Sequence, residues 1–225
     1  MAVDNDYGVW DEFANHYWPA VYIADAEGRL RYHHFGEGEY ERTEMVLQQL
    51  LSDAGATIDM DLAMVEPEGL EFAADWRSLR SPETYLGRAR SSGFVGDDDS
   101  PAVRGEVYEG TLPLNDWTLT GYWTRTSDAA ILENAGGSIL FAFHARDVNL
   151  VMGPTLAGSE IRFRVTLDGS APGPAAGTDI DSNGWGMLRN QDTHQLIRQN
   201  GTIGDRVVTI EFAQPGVEAF CFTFG

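Results

Sequence analysis

Trp117-Thr118-Leu119-Thr120-Gly121-Tyr122-Trp123-Thr124 decides the fold of most of this chain. Side chains along an extended strand alternate between two faces. Trp117, Leu119 and Trp123 therefore share one face with Gly121, while Thr118, Thr120, Tyr122 and Thr124 take the other. The same period of two recurs downstream. Ile139, Phe141 and Phe143 share a face, and Val148, Leu150 and Met152 follow after a turn. Ile161, Phe163, Val165 and Leu167 alternate with Arg162, Arg164 and Thr166, and Val208, Ile210 and Phe212 alternate with Val207, Thr209 and Glu211. Phe220, Phe222 and Phe224 close the chain in a run that reads as a central strand. Several short alternating strands with turn signals between them argue for an antiparallel β-sandwich, jelly-roll-like, over residues 82–225.

Helical periodicity is confined to the first third. Asp4, Asn5 and Asp6 offer N-cap side chains for a short helix carrying Val9, Trp10 and Phe13, which Asn15 and His16 end. The run from Ala20 to Ala24 reads as a short buried strand, Asp25-Ala26-Glu27-Gly28 as a turn, and the run from Leu30 to Phe35 as the returning strand of a hairpin. Glu37, Glu39 and Glu41 place negative charge at a helix start, where the macrodipole favours it. Tyr40, Val46, Leu47, Leu50, Leu51 and Ala54 recur at helical spacing, and Gly55 is a natural stop. These elements form a small α/β unit over residues 1–55. Residues 56–81 read as a connector with one helical turn around Phe72 to Trp76. Its apolar residues (Met60, Leu62, Val65, Leu70, Phe72, Trp76) predict packing rather than a solvated linker.

The 225 residues carry 35 acids against 15 bases, a formal net charge of −20, and every base is Arg. Such a surface repels phosphates and anionic lipid heads, which argues against nucleic acid and membrane surfaces as partners. No run approaches the roughly 18 apolar residues of a membrane span, and no secretory signal is visible. A single cysteine, Cys221, sits in a strand-like run and reads as an inert thiol, buried or half-buried.

Three clusters invite a metal or catalytic reading. His33 and His34 are adjacent on a strand and point to opposite faces, so they read as surface or interface residues. His144-Ala145-Arg146-Asp147 lacks an activated serine elbow and reads as a strand-end turn with an Arg–Asp pair. Asp179, Asp181, Asn183 and Gly184 copy positions 1, 3, 5 and 6 of a calcium loop, but Asn190 stands where a bidentate Glu is needed. Calcium on Asp179, Asp181 and Asn183 is one expectation; an Asx-rich β-turn is the other. Asp97, Asp98 and Asp99 read as a solvated loop.

The segment 15–51, with Tyr17-Trp18-Pro19-Ala20, Asp25-Ala26-Glu27-Gly28 and Phe35-Gly36-Glu37-Gly38, resembles the C-terminal half of a thioredoxin-like domain. Pro82-Glu83-Thr84-Tyr85-Leu86-Gly87, Phe143-His144-Ala145-Arg146-Asp147 and the closing Gly216-Val217-Glu218-Ala219-Phe220-Cys221-Phe222-Thr223-Phe224-Gly225 resemble the DipZ-type family. That family joins a cytochrome c biogenesis membrane region to a thioredoxin-like domain and a carbohydrate-binding-module-like sandwich. The resemblance implies that residues 1–55 are a partial thioredoxin-like domain, that Pro19 is its cis-proline, and that the chain works outside the cytoplasm. It also implies that the strand and helix bearing Cys-x-x-Cys precede residue 1, so that Pro19 is vestigial and the chain is not itself a competent oxidoreductase. The edge of strand 21–24, from Val21 to Ala24, is then expected to be covered by a homodimer or by the connector.

For a sugar-binding sandwich, aromatic faces and polar side chains near them matter most. Trp117 and Trp123 belong to the core by their alternation, and Tyr122 points the other way. Trp185 lies in Asn183-Gly184-Trp185-Gly186, a loop where exposure is expected. The candidate ligand site is Trp185, Tyr122, Arg162 and Arg164. Three functions stand open: a non-catalytic binding or accessory module, the C-terminal portion of an active thiol–disulfide oxidoreductase, or a structural dimerisation module.

Overall fold

The computed structural model describes residues 8–17, 19–36, 38–59, 61–63, 69 and 72–225. Two compact units divide the chain, residues 1–67 and 68–225. The Asp4–Asn5–Asp6 cap, Trp18 and its bond to Pro19, Glu37, Met60, Val65 and Leu70 lie outside the described residues.

The first unit runs α1 (Gly8–Glu12), β1 (Ala20–Ala24), β2 (Leu30–Phe35) and α2 (Tyr40–Asp53). Asp25 builds the hairpin turn. Its Oδ1 accepts the backbone N–H groups of Glu27 and Arg29 at 3.1 and 2.9 Å, and its Oδ2 accepts Arg29 Nε and Arg31 Nη1. The Arg29 N–H leads in holding this carboxyl well below the usual range. Gly28 closes the turn at φ +79°, a conformation open to glycine. Helix α2 stops as expected, with Gly55 at φ +86° and the N–H groups of Ala54, Gly55 and Ala56 turned back onto the last carbonyls. Its apolar stripe is only partly covered: Tyr40, Leu47 and Leu51 are exposed and Val46 and Leu50 half-buried, and the buried residue on the helix is Gln48, which donates to Glu44 and to the Asp61 carbonyl. The short run of β1 is likewise only half-buried rather than buried. The reason is plain in the packing: the hydrophobic core cluster draws all its members from the second unit.

The second unit is one curled, antiparallel sheet of eleven strands among the described residues. They are β3 (Thr84–Tyr85), β4 (Ala102–Gly105), β5 (Trp117–Arg125), β6 (Ala130–Leu132), β7 (Ser138–Phe143), β8 (Asp147–Pro154), β9 (Ile161–Leu167), β10 (Trp185–Leu188), β11 (Asp192–Arg198), β12 (Arg206–Phe212) and β13 (Val217–Phe224). The path is β10-β9-β12-β7-β5-β6-β13-β8-β11, with β4 on β5 and β3 on β13. The protein is mainly β with a small α/β unit. Strand β13 is central, with β8 along one side and β6 and β3 on the other.

Strand β5 joins the halves of the sheet. Trp117 to Thr120 pair with β7, and Trp123 to Arg125 pair with β6. The direction changes at Gly121, whose φ is +90° and whose missing Cβ would stand 2.8 Å from Gly137 Cα. Trp117, Leu119 and Trp123 are buried as the alternation requires, and they pack with Phe141, Phe163, Phe212 and Phe222. The inward alternation continues to Arg125, which is fully buried. Its guanidinium meets the Asp98 carboxylate, donates to the Leu86 carbonyl at 3.0 Å and lies 4.0 Å from the Phe94 ring centroid. The loop 97–99 is thus not merely solvated: Asp98 neutralises a buried cation.

The connector divides at the boundary between units. Ala63 N–H donates to Glu44 Oε1 on α2. Farther on, Arg198 Nη2 donates to the Gly69 carbonyl and Arg146 Nη2 to the Ala73 carbonyl, and the Arg198 guanidinium lies 4.4 Å from the Phe72 ring. The helical turn begins at Asp75, whose carbonyl accepts from Ser78 and Leu79, later than expected, and Trp76 is exposed. No helix among the described residues is long and apolar enough to cross a membrane.

Replacing Asp98 with Ala leaves a buried guanidinium short of its charged acceptor, so the urea midpoint should fall by the equivalent of about 1–3 kcal/mol. Asp99→Ala, whose carboxylate faces solvent, should change stability by less than about 0.5 kcal/mol. Equal effects of the two would contradict the pairing.

Candidate functional site

Trp185 opens β10, and its position is fixed by the turn before it. The Asp181 carbonyl accepts from Gly184 N–H, and Asp181 Oδ1 accepts the N–H groups of Asn183 and Trp185 at 2.9 and 2.8 Å. Gly184 has φ +86° and presses against the Val165 carbonyl, where a Cβ would collide. Gly186 lies so close to the Phe163 ring that no side chain fits. These contacts lay β10 flat on β9, with Trp185 opposite Arg164 and Met187 opposite Arg162.

On β9, Ile161, Phe163 and Val165 go to the core and Arg162 and Arg164 to the outer face, as their alternation demands. Both guanidiniums reach the indole of Trp185. Arg162 lies 3.9 Å and Arg164 5.4 Å from the ring centroid. Trp185 is half-buried and borders a shallow groove of about 540 Å³. Arg162, Arg189 and Met187 line it with Thr178, Asp179 and Asp181. The structure thus brings together three of the four expected ligand-site residues. The Trp185 ring is not the bare platform that a loop tryptophan suggests, because Arg162 stacks on it.

Tyr122 is not part of this site. It is exposed, lies just past the Gly121 bend, and faces Arg104 on β4, whose guanidinium is 5.8 Å from its ring. Strands β9, β12 and β7 stand between β10 and β5. Strand order separates residues that alternation alone leaves eligible to meet.

The acidic turn is built as an Asx turn. Asp181 spends one oxygen on two backbone amides, and Asp179 Oδ2 accepts Gln195 N–H at 2.7 Å. Among the described residues no group of three or more His, Cys, Asp or Glu side chains is placed to hold a metal ion. The geometry gives Asp179 and Asp181 an anchoring role, with Asn183 supplying a backbone donor.

The remaining reactive residues have structural work. Asp147 is buried between Arg146, which donates Nε and Nη2 to Oδ2, and Arg198, which donates to both oxygens. The expected Arg–Asp pair is present, and Arg198 is the partner that local sequence does not reveal. The His144 ring meets Asp205, and the Ser81 hydroxyl accepts the His144 backbone N–H rather than facing the ring. Cys221 is buried, with Glu83 Oε1 at 3.6 Å from Sγ. Burial first, and then the Glu83 charge, push this thiol up to about 12.

Known proteins resemble the chain in both units, and a family model matches most of the second. The chain belongs to the Thioredoxin like C-terminal domain family, which matches residues 81–225. Over its whole length it is similar to Protein DipZ of Mycobacterium bovis and to Protein DipZ of Mycobacterium tuberculosis, 32% identical in each case over 234 aligned positions. The chain spans 30% of the length of these relatives.

The Cys221 environment makes a prediction with a definite sign. Burial raises the thiol from its ordinary value to about 12, so the folded state holds the proton longer than the unfolded one. Its contribution to stability is complete below the unfolded value and is lost as pH rises toward the folded one. Alkaline unfolding should therefore be shallower in Cys221→Ala than in the wild type across that window. Identical pH profiles would contradict the burial of this group.

Proposed function

We propose that the chain is a non-catalytic binding region of a DipZ-type thiol–disulfide redox protein, whose jelly-roll-like, carbohydrate-binding-module-like sandwich holds sugar at the Trp185 groove. Residues 1–55 are a partial thioredoxin-like domain in this reading, and 56–81 connect it to the sandwich. The carrying observation is the half-exposed Trp185 indole, with two arginines over it and two carboxylates along the same groove. A pyranose has an apolar C–H face and a rim of hydroxyls that both donate and accept. Indole suits the face, guanidinium the hydroxyl oxygens, and carboxylate the hydroxyl protons. The Arg162 stack is worth only about 0.5–1 kcal/mol at such an exposed position, so a ligand can displace it. The inert Cys221 thiol supports the non-catalytic reading for this stretch; thiol–disulfide exchange belongs to other parts of the longer proteins. On a glycan array the wild type should bind a defined set of oligosaccharides. Trp185→Ala should weaken that binding about thirtyfold or more, the scale of an aromatic hot spot, with the thermal midpoint unchanged. Absence of binding to every glycan, or binding untouched by Trp185→Ala, would overturn the reading.

A second role, homodimerisation along strand 21–24, is favoured by one observation. Strand β1 pairs only with β2 among the described residues, which leaves a strand edge that proteins ordinarily protect. Analytical ultracentrifugation should show a dimer that Ile23→Pro dissociates; a monomer at all concentrations would contradict it.

A further inference from the structure

We infer that the ligand of the Trp185 groove carries a single negative group, as a uronate-bearing oligosaccharide does; this rests on the sugar-binding reading above. The feature that carries the inference is two outward-facing guanidiniums, Arg162 and Arg164, gathered over one indole. The chain holds 35 acids and 15 arginines, so a guanidinium has carboxylates in plentiful supply. Arg125, Arg146, Arg189, Arg198 and Arg206 each take one, whereas Arg90 and Arg104 each lie singly against a tyrosine ring. Arg162 and Arg164 take none: no ion pair or side-chain hydrogen bond engages either guanidinium among the described residues, and both lie against one indole instead.

Their contact is with the Trp185 ring, and no carboxylate is within ion-pair distance of either guanidinium among the described residues. Guanidinium has five donors and no acceptor, in a fork that fits a carboxylate with two parallel bonds. A neutral hydroxyl uses one of these donors and brings no charge. Residues two apart on a strand lie about 7 Å from each other on the same face, so Arg162 and Arg164 can approach one carboxylate from both sides.

The surrounding acids set an upper limit. Asp179 and Asp181 line the groove, each with one oxygen already engaged by backbone amides. Glu211 stands opposite Arg164 on β12, and Glu160 is paired with Arg189. The net charge of −20 adds a repulsion that salt screens beyond about 8 Å under physiological conditions. One negative group within reach of the two guanidiniums is favoured, and a chain of them is not. The preference runs from singly charged to neutral to polyanionic ligands.

The test is a panel of oligosaccharides, each bearing one uronate, printed beside its neutral parent, with heparin as the polyanion, at physiological ionic strength. Binding to the uronate member of the recognised pair should exceed that to its parent by about tenfold or more, the scale of one charge-assisted hydrogen bond. Heparin should not bind. Arg162→Gln with Arg164→Gln should bring the ratio of acid to parent binding down to about one, with both members weakened and the acid weakened more, and thermal unfolding of the double variant should confirm that it folds. Equal binding of acid and parent, or a preference that survives the double substitution, would overturn the inference and leave the sugar-binding reading standing. No binding to either member of any pair would overturn both.

Discussion

Strand β5 has to serve two halves of one curled sheet, and Gly121 is what permits it. Before the bend, Trp117 and Leu119 face the core from the side of β7; after it, Trp123 and Arg125 do so beside β6. A side chain at Gly121 would need a left-handed backbone and would press on Gly137. The strands between β5 and the groove follow from this arrangement, since β7 carries β12, β12 carries β9, and β9 carries β10 with Trp185.

Arginine supplies every formal base of the chain, and two groups of arginines in the second unit differ in what they meet. Arg125, Arg146 and Arg198 are brought into or against the fold and matched with Asp98 or Asp147. Their carbonyl contacts tie distant segments, from Leu86 to Gly69 and Ala73, onto the sheet. Removing one partner of such a pair strands the other, which is why they read as structural. Arg162 and Arg164 stay on the outer face and rest on an aromatic ring.

Most of the curled sheet was legible because a period of two is a local signal. The inward rows of β5, β7, β9 and β12 come directly from alternation, and Arg125 was available on the same row: a charge continuing the sequence of Trp117, Leu119 and Trp123 must be buried and must find an acid. The partner, Asp98, could not be chosen from among its neighbours without the loop geometry. Trp185, Arg162 and Arg164 were recognisable by residue type, but their meeting depends on β10 pairing with β9. Tyr122 was equally eligible by type and is excluded only by strand order. In the first unit the helical stripe of α2 is present in sequence and only partly covered in structure, because periodicity identifies an apolar face and not what covers it.

The central claim, that the Trp185 groove is where this chain meets a sugar, can be tested at one atom. The six tryptophans give resolvable indole N–H signals in a nitrogen-15 spectrum of the labelled protein. On titration with a recognised oligosaccharide, the Trp185 signal, assigned through Trp185→Phe, should shift progressively while those of the buried Trp117 and Trp123 stay in place. A saturating titration in which Trp185 does not move, or in which another indole moves in its stead, would contradict it.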